Sequence, residues 1–156
     1  MDSRIDSRHV QDILELQRLK GLYFNNLDHK NWDGWTSLFT KDAKLLVDQG
    51  LPVESTDVTE GIDNVIDYVK ERLAVIPSVH HGHTPLYEFE SDVEARGIWA
   101  MADVIYYSEE MALYGYGHYR ETYRKEDGIW KFSSVHLTRL ALDYLPRAPM
   151  PKPALT

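Results

Sequence analysis

The sequence has 156 residues, no cysteine and a formal net charge of −8, and each property excludes a class of protein. Without cysteine there is no disulfide framework, thiolate nucleophile or cysteine-ligated metal site. The length fits one domain with a core and a ligand cavity. The acidic balance argues against a nucleic acid partner, which needs a stripe of Lys and Arg to neutralise phosphates.

No apolar run approaches the roughly 20 residues of a membrane span, so we expect no membrane partner. The start, Met1 to Asp6, lacks the apolar core of a signal peptide, which predicts a soluble cytoplasmic protein. The sequence has ten tyrosines and four tryptophans. Aromatic residues with a polar tip suit a cavity for a hydrophobic small molecule, although sheet packing and subunit contacts would explain most of them.

Helical spacing marks the beginning of the chain. Apolar residues recur at three- and four-residue steps from His9 to about Leu27, which predicts a first helix packed on more than one side. A short second helix follows, with Asn31 as its N-cap.

A short strand is predicted over residues 43–48, followed by an irregular segment over 49–57. The third helix is expected from about residue 61 to residue 76, because apolar residues again recur at helical spacing. Thr59 can cap this helix, and Pro77 stops it.

From Val79 the apolar period changes to two, which predicts a meander of antiparallel strands joined by short turns. The four predicted strands cover residues 79–90, 94–108, 112–126 and 129–143. Helices first and strands last indicate an α+β fold, a curved sheet wrapped over its helices. We expect a single domain over 1–145 and a Pro-rich tail over 146–156 that is an extended arm or disordered.

Three histidines, His80, His81 and His83, fall within four positions. Histidine titrates near neutral pH, so the cluster suggests either proton transfer or metal binding. Alternate residues of a strand face opposite sides, so His81 and His83 together, or His80 alone, can serve one cavity. Proton transfer needs only one of them, and no metal or other cofactor is required. Each could also be an ordinary strand histidine.

Five polar residues stand where apolar ones are expected: Tyr23, Asp28, His80, Asp103 and Arg139. A carboxylate in so apolar a run as that around Asp103 must either be paired or have its pKa shifted upward. If it faces His80, the pair makes a general base. Tyr23 could then donate a hydrogen bond to a developing oxyanion. Asp28 could orient the base or act as a second acid or base, provided that the first helix ends near Leu27.

Each of these residues also has a purely structural interpretation. Asp28 could cap the helix end, and Asp103 could pair with a nearby Arg or His. Tyr23 could be a core tyrosine bonded to a backbone carbonyl, and Arg139 could pair with an acidic residue on a neighbouring strand.

Three segments together carry a family resemblance: the helix end 23–33, the segment His80-x-Gly82-His83-Thr84-Pro85, and the last hairpin 123–132. They resemble the SnoaL-like branch of the nuclear-transport-factor-2-like superfamily, over roughly residues 10–145. The resemblance implies a cone-shaped barrel in which a curved antiparallel sheet wraps around three helices and encloses a deep apolar pocket. Within the branch the chain looks most like bile acid 7α-dehydratases, and more distantly like scytalone dehydratase and hexachlorocyclohexane dehydrochlorinase.

The resemblance also implies catalytic positions at Tyr23, Asp28, His80 and Asp103, and an arginine at Arg139. The implied activity is cofactor-free loss of water from an apolar polycyclic, steroid-like hydroxy-carbonyl substrate. In this hypothesis His80 takes the proton, Asp103 orients His80, Tyr23 binds the enolate oxygen, and Asp28 and Arg139 position the leaving group or an acidic part of the substrate. The alternatives are an isomerase, cyclase or dehydrohalogenase with the same base, and a noncatalytic binding or association module.

Strand alternation suggests which residues contact the substrate. Val135, Leu137 and Arg139 share one face, and by resemblance this face and that of Tyr119 line the pocket. We add Trp99 and His83 to the residues expected to bind substrate. His80 is out of phase with Tyr87 and Phe89, so all three point inward only if a bulge lies near Gly82 or Pro85. Apolar residues on the outer sheet face predict a homo-oligomer, a dimer or a trimer, and relatives favour the trimer.

Overall fold

A computed structural model describes residues 6–147 as a curved six-stranded sheet with helices packed against one face. The α+β fold predicted from the sequence is confirmed. After a 3-10 turn at Ser7–His9, the elements are α1 (Val10–Asp28), α2 (Trp32–Thr36), β1 (Phe39–Gln49), β2 (Ser55–Glu60), α3 (Ile62–Leu73), β3 (Ser78–Phe89), β4 (Glu94–Ile105), β5 (Met111–Glu126) and β6 (Ile129–Pro146).

The helix boundaries follow local sequence signals except at α3. This helix ends at Leu73 and not at residue 76, so Pro77 is not what stops it. The Asn31 side chain accepts a hydrogen bond from the backbone N–H of Gly34 at 3.3 Å, so the predicted cap of α2 is confirmed. The predicted cap of α3 at Thr59 is wrong, because Thr59 belongs to β2. Gly61 precedes α3 instead, with φ of 82°, a backbone conformation that favours glycine.

The sheet order is β2-β1-β6-β5-β4-β3. The predicted antiparallel meander forms β3 to β6, but β1 pairs with β6 in parallel, and β2 forms a strand where an irregular segment was predicted. The sheet is open, with β2 and β3 at its edges, so it curves over the helices without closing into the predicted barrel. This topology places α1 and α3 over the inner face of the sheet, where the core and the cavity lie.

A bulge divides β3 into two phases. The register to β4 shifts between His83 and Leu86, and Thr84 has a φ of 40°. His80 before the bulge is buried, while Tyr87 and Phe89 after it pack against the core. The predicted bulge is therefore confirmed, and it lets all three side chains face inward.

The outer face of the sheet exposes large apolar side chains, including Val79, Tyr116 and Leu140. Self-association through this face stays a prediction. Strand β6 runs to Pro146 rather than to residue 143, and residues 148–156 of the predicted tail lie outside the described part of the chain. Between residues 6 and 147, no helix is both long and apolar enough to cross a bilayer.

Candidate active site

A cavity of about 640 Å³ lies between α1, α3 and the inner face of the sheet. Its apolar walls include Leu27 from α1 and Leu113 and Leu137 from the sheet. A polar cluster lines the same cavity. Its members are Tyr23, His80, Asp103, Tyr119 and Arg139, all of which were expected from the sequence to serve the site.

Asp28 and His80 form a hydrogen-bonded dyad at the cavity wall. Asp28 is the last residue of α1, and its Oδ1 lies 2.6 Å from His80 Nδ1, while its Oδ2 accepts the backbone N–H of His80 at 3.0 Å. An ionised carboxylate only accepts hydrogen bonds, so this contact selects the tautomer of the neutral imidazole in which Nδ1 carries the proton and Nε2 keeps its lone pair. Because the imidazole lines the cavity, Nε2 is a candidate general base.

The dyad has further support from the loop that follows α1. The Ser78 hydroxyl donates to Asp28 Oδ1 at 3.3 Å, and the Lys30 ammonium donates to Ser78 Oγ at 2.8 Å. Lys30 is half-buried, and burial lowers the pKa of its ammonium against the opposing effect of the Asp28 carboxylate. This chain of contacts fixes the Asp28 carboxylate before any substrate arrives.

Asp103 does not orient His80, although the two residues are direct cross-strand partners on β4 and β3. The Asp103 carboxylate instead forms a bidentate ion pair with Arg139, with Nη1–Oδ1 and Nη2–Oδ2 distances of 2.8 Å. Asp28 therefore takes the orienting role that the sequence hypothesis gave to Asp103. Both Asp28 oxygens bind His80, and the predicted use of Asp28 to position a leaving group stays a prediction.

Glycine makes the Asp103–Arg139 pair possible. The partners lie on β4 and β6, so the pair reaches across β5, which runs between them. Gly115 of β5 lies at the crossing point, and a Cβ atom there would meet both Arg139 Nη1 and Asp103 Oδ1. From the sequence we considered an acidic partner for Arg139 on a neighbouring strand. The actual partner, Asp103 on β4, lies one strand further away.

Tyr23 and Tyr119 lie side by side at the cavity, with ring centroids 6.1 Å apart. Neither hydroxyl has a hydrogen-bond partner within residues 6–147. Burial, reinforced by the Glu121, Asp28 and Asp103 carboxylates, raises the pKa of Tyr23 well above its ordinary value. Burial likewise raises the pKa of Tyr119. Both phenols therefore stay protonated at neutral pH and can donate a hydrogen bond into the cavity.

Residues 8–136 match the family described as the SnoaL-like domain. The chain belongs to this family. The predicted membership of the SnoaL-like branch is thereby confirmed. The match spans α1 through the first part of β6, up to residue 136, and it includes Asp28, His80 and Asp103.

Solved structures share the fold of this SnoaL-like domain at low sequence identity. A scytalone dehydratase-like protein from Novosphingobium aromaticivorans is 23% identical, with a TM-score of 0.77 over 92% of this chain and 96% of that one. The type 3 hexachlorocyclohexane dehydrochlorinase from Novosphingobium barchaimii is 19% identical, with a TM-score of 0.76 over 93% and 97% of the two chains. A protein of unknown function from Mycobacterium tuberculosis is 23% identical, with a TM-score of 0.71 over 85% and 73%.

Three of the predicted substrate-binding residues do not reach the cavity of the SnoaL-like domain. His83 is exposed, because strand alternation sends it to the face opposite His80. Trp99 packs in the core and donates its indole N–H to the Tyr123 hydroxyl at 3.1 Å. Val135 is completely buried in the core. Leu137 and Tyr119, by contrast, line the cavity as predicted.

We did not identify from the sequence the cavity-lining residues of β1, of the turn between β1 and β2, or of α3. Tyr68 and Arg72 face the cavity from α3, and the Arg72 guanidinium stacks on the Tyr68 ring at 3.6 Å. Their i, i+4 spacing on the predicted third helix was a usable signal. Within the described residues, no three His, Asp or Glu side chains converge as a metal site.

Proposed function

We propose that this SnoaL-like domain is a cofactor-free lyase that removes water from an apolar polycyclic hydroxy-carbonyl substrate. The observation that carries the proposal is the Asp28–His80 dyad, because its Nε2 lone pair belongs to a ring that lines a cavity with apolar walls. An imidazole held by a carboxylate is a general base that works near neutral pH. The carbonyl of the substrate acidifies the proton on the neighbouring carbon, and such a base can take that proton.

In the proposed reaction, His80 Nε2 takes the proton from the carbon next to the carbonyl. The Asp28 carboxylate stabilises the imidazolium that forms, and the Tyr23 hydroxyl donates to the carbonyl oxygen as it gains enolate charge. The enolate electrons then form the carbon–carbon double bond while the carbon–oxygen bond to the hydroxyl breaks. The imidazolium returns its proton to the departing hydroxyl, so water leaves and His80 becomes neutral again.

The Asp103–Arg139 pair serves in this proposal as a fixed hydrogen-bond donor. Two N–H groups of the guanidinium bind Asp103, and an arginine has five. The remaining donors can hold the leaving hydroxyl of the substrate. Because Asp103 neutralises the guanidinium, this arrangement favours a hydroxyl over an acidic group at that position.

The steroid-like substrate class comes from the resemblance to bile acid 7α-dehydratases and is compatible with the cavity. A volume of about 640 Å³ lies in the usual range of about 300–1,000 Å³ for sites that bind drug-sized ligands. The names of two structural relatives, a scytalone dehydratase-like protein and a dehydrochlorinase, also denote elimination reactions. The same base could serve an isomerase, a cyclase or a dehydrohalogenase, so the test must separate these outcomes.

The test is turnover measured by mass spectrometry on a panel of hydroxysteroids with a 3-oxo-4-ene group, free and as coenzyme A thioesters, together with hydroxylated aromatic ketones. The wild type is compared with His80→Ala and with the control His81→Ala, which alters an exposed histidine on the opposite strand face. Loss of the mass of water with wild type and His81→Ala, but not with His80→Ala, supports the proposal.

Other results would replace the proposal. A product of unchanged mass indicates an isomerase or cyclase, and loss of hydrogen halide from a halogenated member added to the panel indicates a dehydrohalogenase. Tight binding of a panel member by wild type and His80→Ala alike, without any product, would favour a noncatalytic binding module.

A further inference from the structure

A buried ion pair lies directly beneath the cavity and takes no part in the proposed proton transfer. The Lys20 ammonium of α1 is 2.5 Å from Glu121 Oε1 of β5, and both side chains are fully inaccessible to solvent. Burying two charges is unfavourable unless their mutual contacts compensate, and apolar replacements are often as stable. The Lys20–Glu121 pair therefore need not stabilise the folded state, which favours a functional role for it.

The ammonium lies against the rings of both cavity tyrosines. Lys20 Nζ is 3.5 Å from the ring centroid of Tyr119 and 4.1 Å from that of Tyr23. Phe24 and Phe132 contact it from further sides. A cation on the face of a phenol ring draws electron density from the ring, which makes the hydroxyl a stronger hydrogen-bond donor.

Glu121 holds the ammonium in this position while its other oxygen is occupied away from the cavity. The Tyr123 hydroxyl donates to Glu121 Oε2 at 2.5 Å and accepts the Trp99 indole N–H at 3.1 Å. The carboxylate is therefore anchored in the core, and it holds the ammonium against the rings of Tyr23 and Tyr119.

We propose that Lys20 is a positioning residue that acts through Tyr23 and Tyr119, strengthening their hydroxyls as donors so that the inner end of the cavity binds an oxyanion. The inference rests on the proposed function, in which a carbonyl oxygen gains negative charge beside Tyr23. It extends that function by making Tyr119 a second oxyanion donor and by giving the buried lysine a role.

Several charged groups act on these tyrosines and set the background for a test. Glu121 from β5, Asp28 from α1 and Asp103 from β4 oppose negative charge near the hydroxyls, and Arg139 from β6 favours it. A variant that removes only Lys20 would leave Glu121 buried and unpaired. The double variant Lys20→Met/Glu121→Gln removes both charges, keeps an acceptor for the Tyr123 hydroxyl and leaves the net charge unchanged.

The experiment measures binding of two ligands of nearly equal shape by titration calorimetry, without any need for turnover. The probes are 2,4-dinitro-1-naphthol, which is anionic at neutral pH, and 1-methyl-2,4-dinitronaphthalene, which is neutral. We expect the double variant to lose about threefold to tenfold in affinity for the anion. This is less than one fully desolvated cation–ring interaction supplies, because removing Glu121 also removes a carboxylate that opposes the anion. The affinity of the double variant for the neutral probe should stay within about twofold.

A second comparison separates action through the hydroxyls from direct attraction of the anion by Lys20. In a Tyr23→Phe/Tyr119→Phe background, removing the ion pair should change the affinity for the anion by less than about twofold. The proposal is overturned if the loss persists there undiminished, if both probes lose affinity alike, or if the double variant binds the anion as well as wild type. Because binding is measured without turnover, a failure of this proposal can be distinguished from a failure of the proposed dehydratase activity.

Discussion

Replacing Asp28 with asparagine keeps the shape of the side chain but removes the charge that holds His80 in its working tautomer. The carboxylate accepts two hydrogen bonds from His80, at Nδ1 and at the backbone N–H. An asparagine has one acceptor oxygen, so if it serves the backbone N–H, its amide N–H₂ faces Nδ1. Nδ1 must then accept, and the proton moves to Nε2, which can no longer act as a base.

The expected loss can be estimated from these contacts. Hydrogen bonds to charged groups contribute about 1.5–3 kcal/mol each, and general-base catalysis contributes roughly 10²–10⁴ in rate. We therefore expect kcat to fall by about 10²–10⁴ in Asp28→Asn, with KM changed by less than about threefold. The assay combines turnover of a substrate from the panel with ¹⁵N NMR of the His80 ring, which reports the tautomer directly.

A refuting result is equally specific. If Asp28→Asn keeps its rate within about threefold of wild type while His80→Ala is inactive, then His80 does not depend on the dyad. An unchanged tautomer in the ¹⁵N spectrum would contradict the same reasoning without reference to a substrate.

Three further predictions concern stability, each measured by urea unfolding. Gly115→Ala should lower the free energy of unfolding by about 1–3 kcal/mol, because the added Cβ meets the Asp103–Arg139 pair. The control Gly21→Ala changes an exposed helix position with no atom within 4 Å of the new Cβ, and it should raise the free energy of unfolding by about 0.5–1 kcal/mol. Equal effects of the two substitutions would show that β5 tolerates a side chain where the ion pair crosses it. Arg139→Ala should lower the free energy of unfolding by about 3–5 kcal/mol, because the buried Asp103 carboxylate loses its partner, and a loss below about 1 kcal/mol would contradict that account. Burial lowers the pKa of Lys20 from 10.5 to about 8, so above pH 8 the unfolded chain binds a proton that the native state has lost. The free energy of unfolding should therefore gain up to about 1.4 kcal/mol per pH unit from this group between pH 8 and pH 10, a gain absent from the double variant described above.

Hydrophobic spacing was sufficient to predict the helices and the β3–β6 meander, since these depend on residues near one another in the chain. It could not predict that β1 pairs with β6 in parallel, because that contact joins distant segments. Strand β2 was missed because residues 55–60 are mostly polar and the strand lies at the sheet edge. Because most side chains of this edge strand are exposed, its sequence lacks the alternation of apolar and polar residues on which the strand prediction depends.

The polar members of the site were identifiable because charged residues interrupted apolar runs, but their pairing was not. His80 and Asp103 are indeed cross-strand neighbours, yet each bonds to a different partner. Two local facts decide this: α1 ends with Asp28 at the backbone N–H of His80, and Gly115 leaves room for Arg139 to cross β5. Lys20 occupies a core position of the α1 stripe, a signal present in the sequence that was not used.

The parallel pairing of β1 with β6 also bears on the order in which the protein is made. Leu45 and Val47 of the cavity wall pair with Val135 and Leu137 of β6, so this wall is incomplete until β6 has left the ribosome. The hairpin of β1 and β2 can form early, whereas β1 must keep its other edge unpaired until the last strand arrives. Contacts between such distant segments slow folding and expose strand edges in the meantime. We expect a nascent chain stalled before β6 to hold its dyad segments without an enclosed binding cavity.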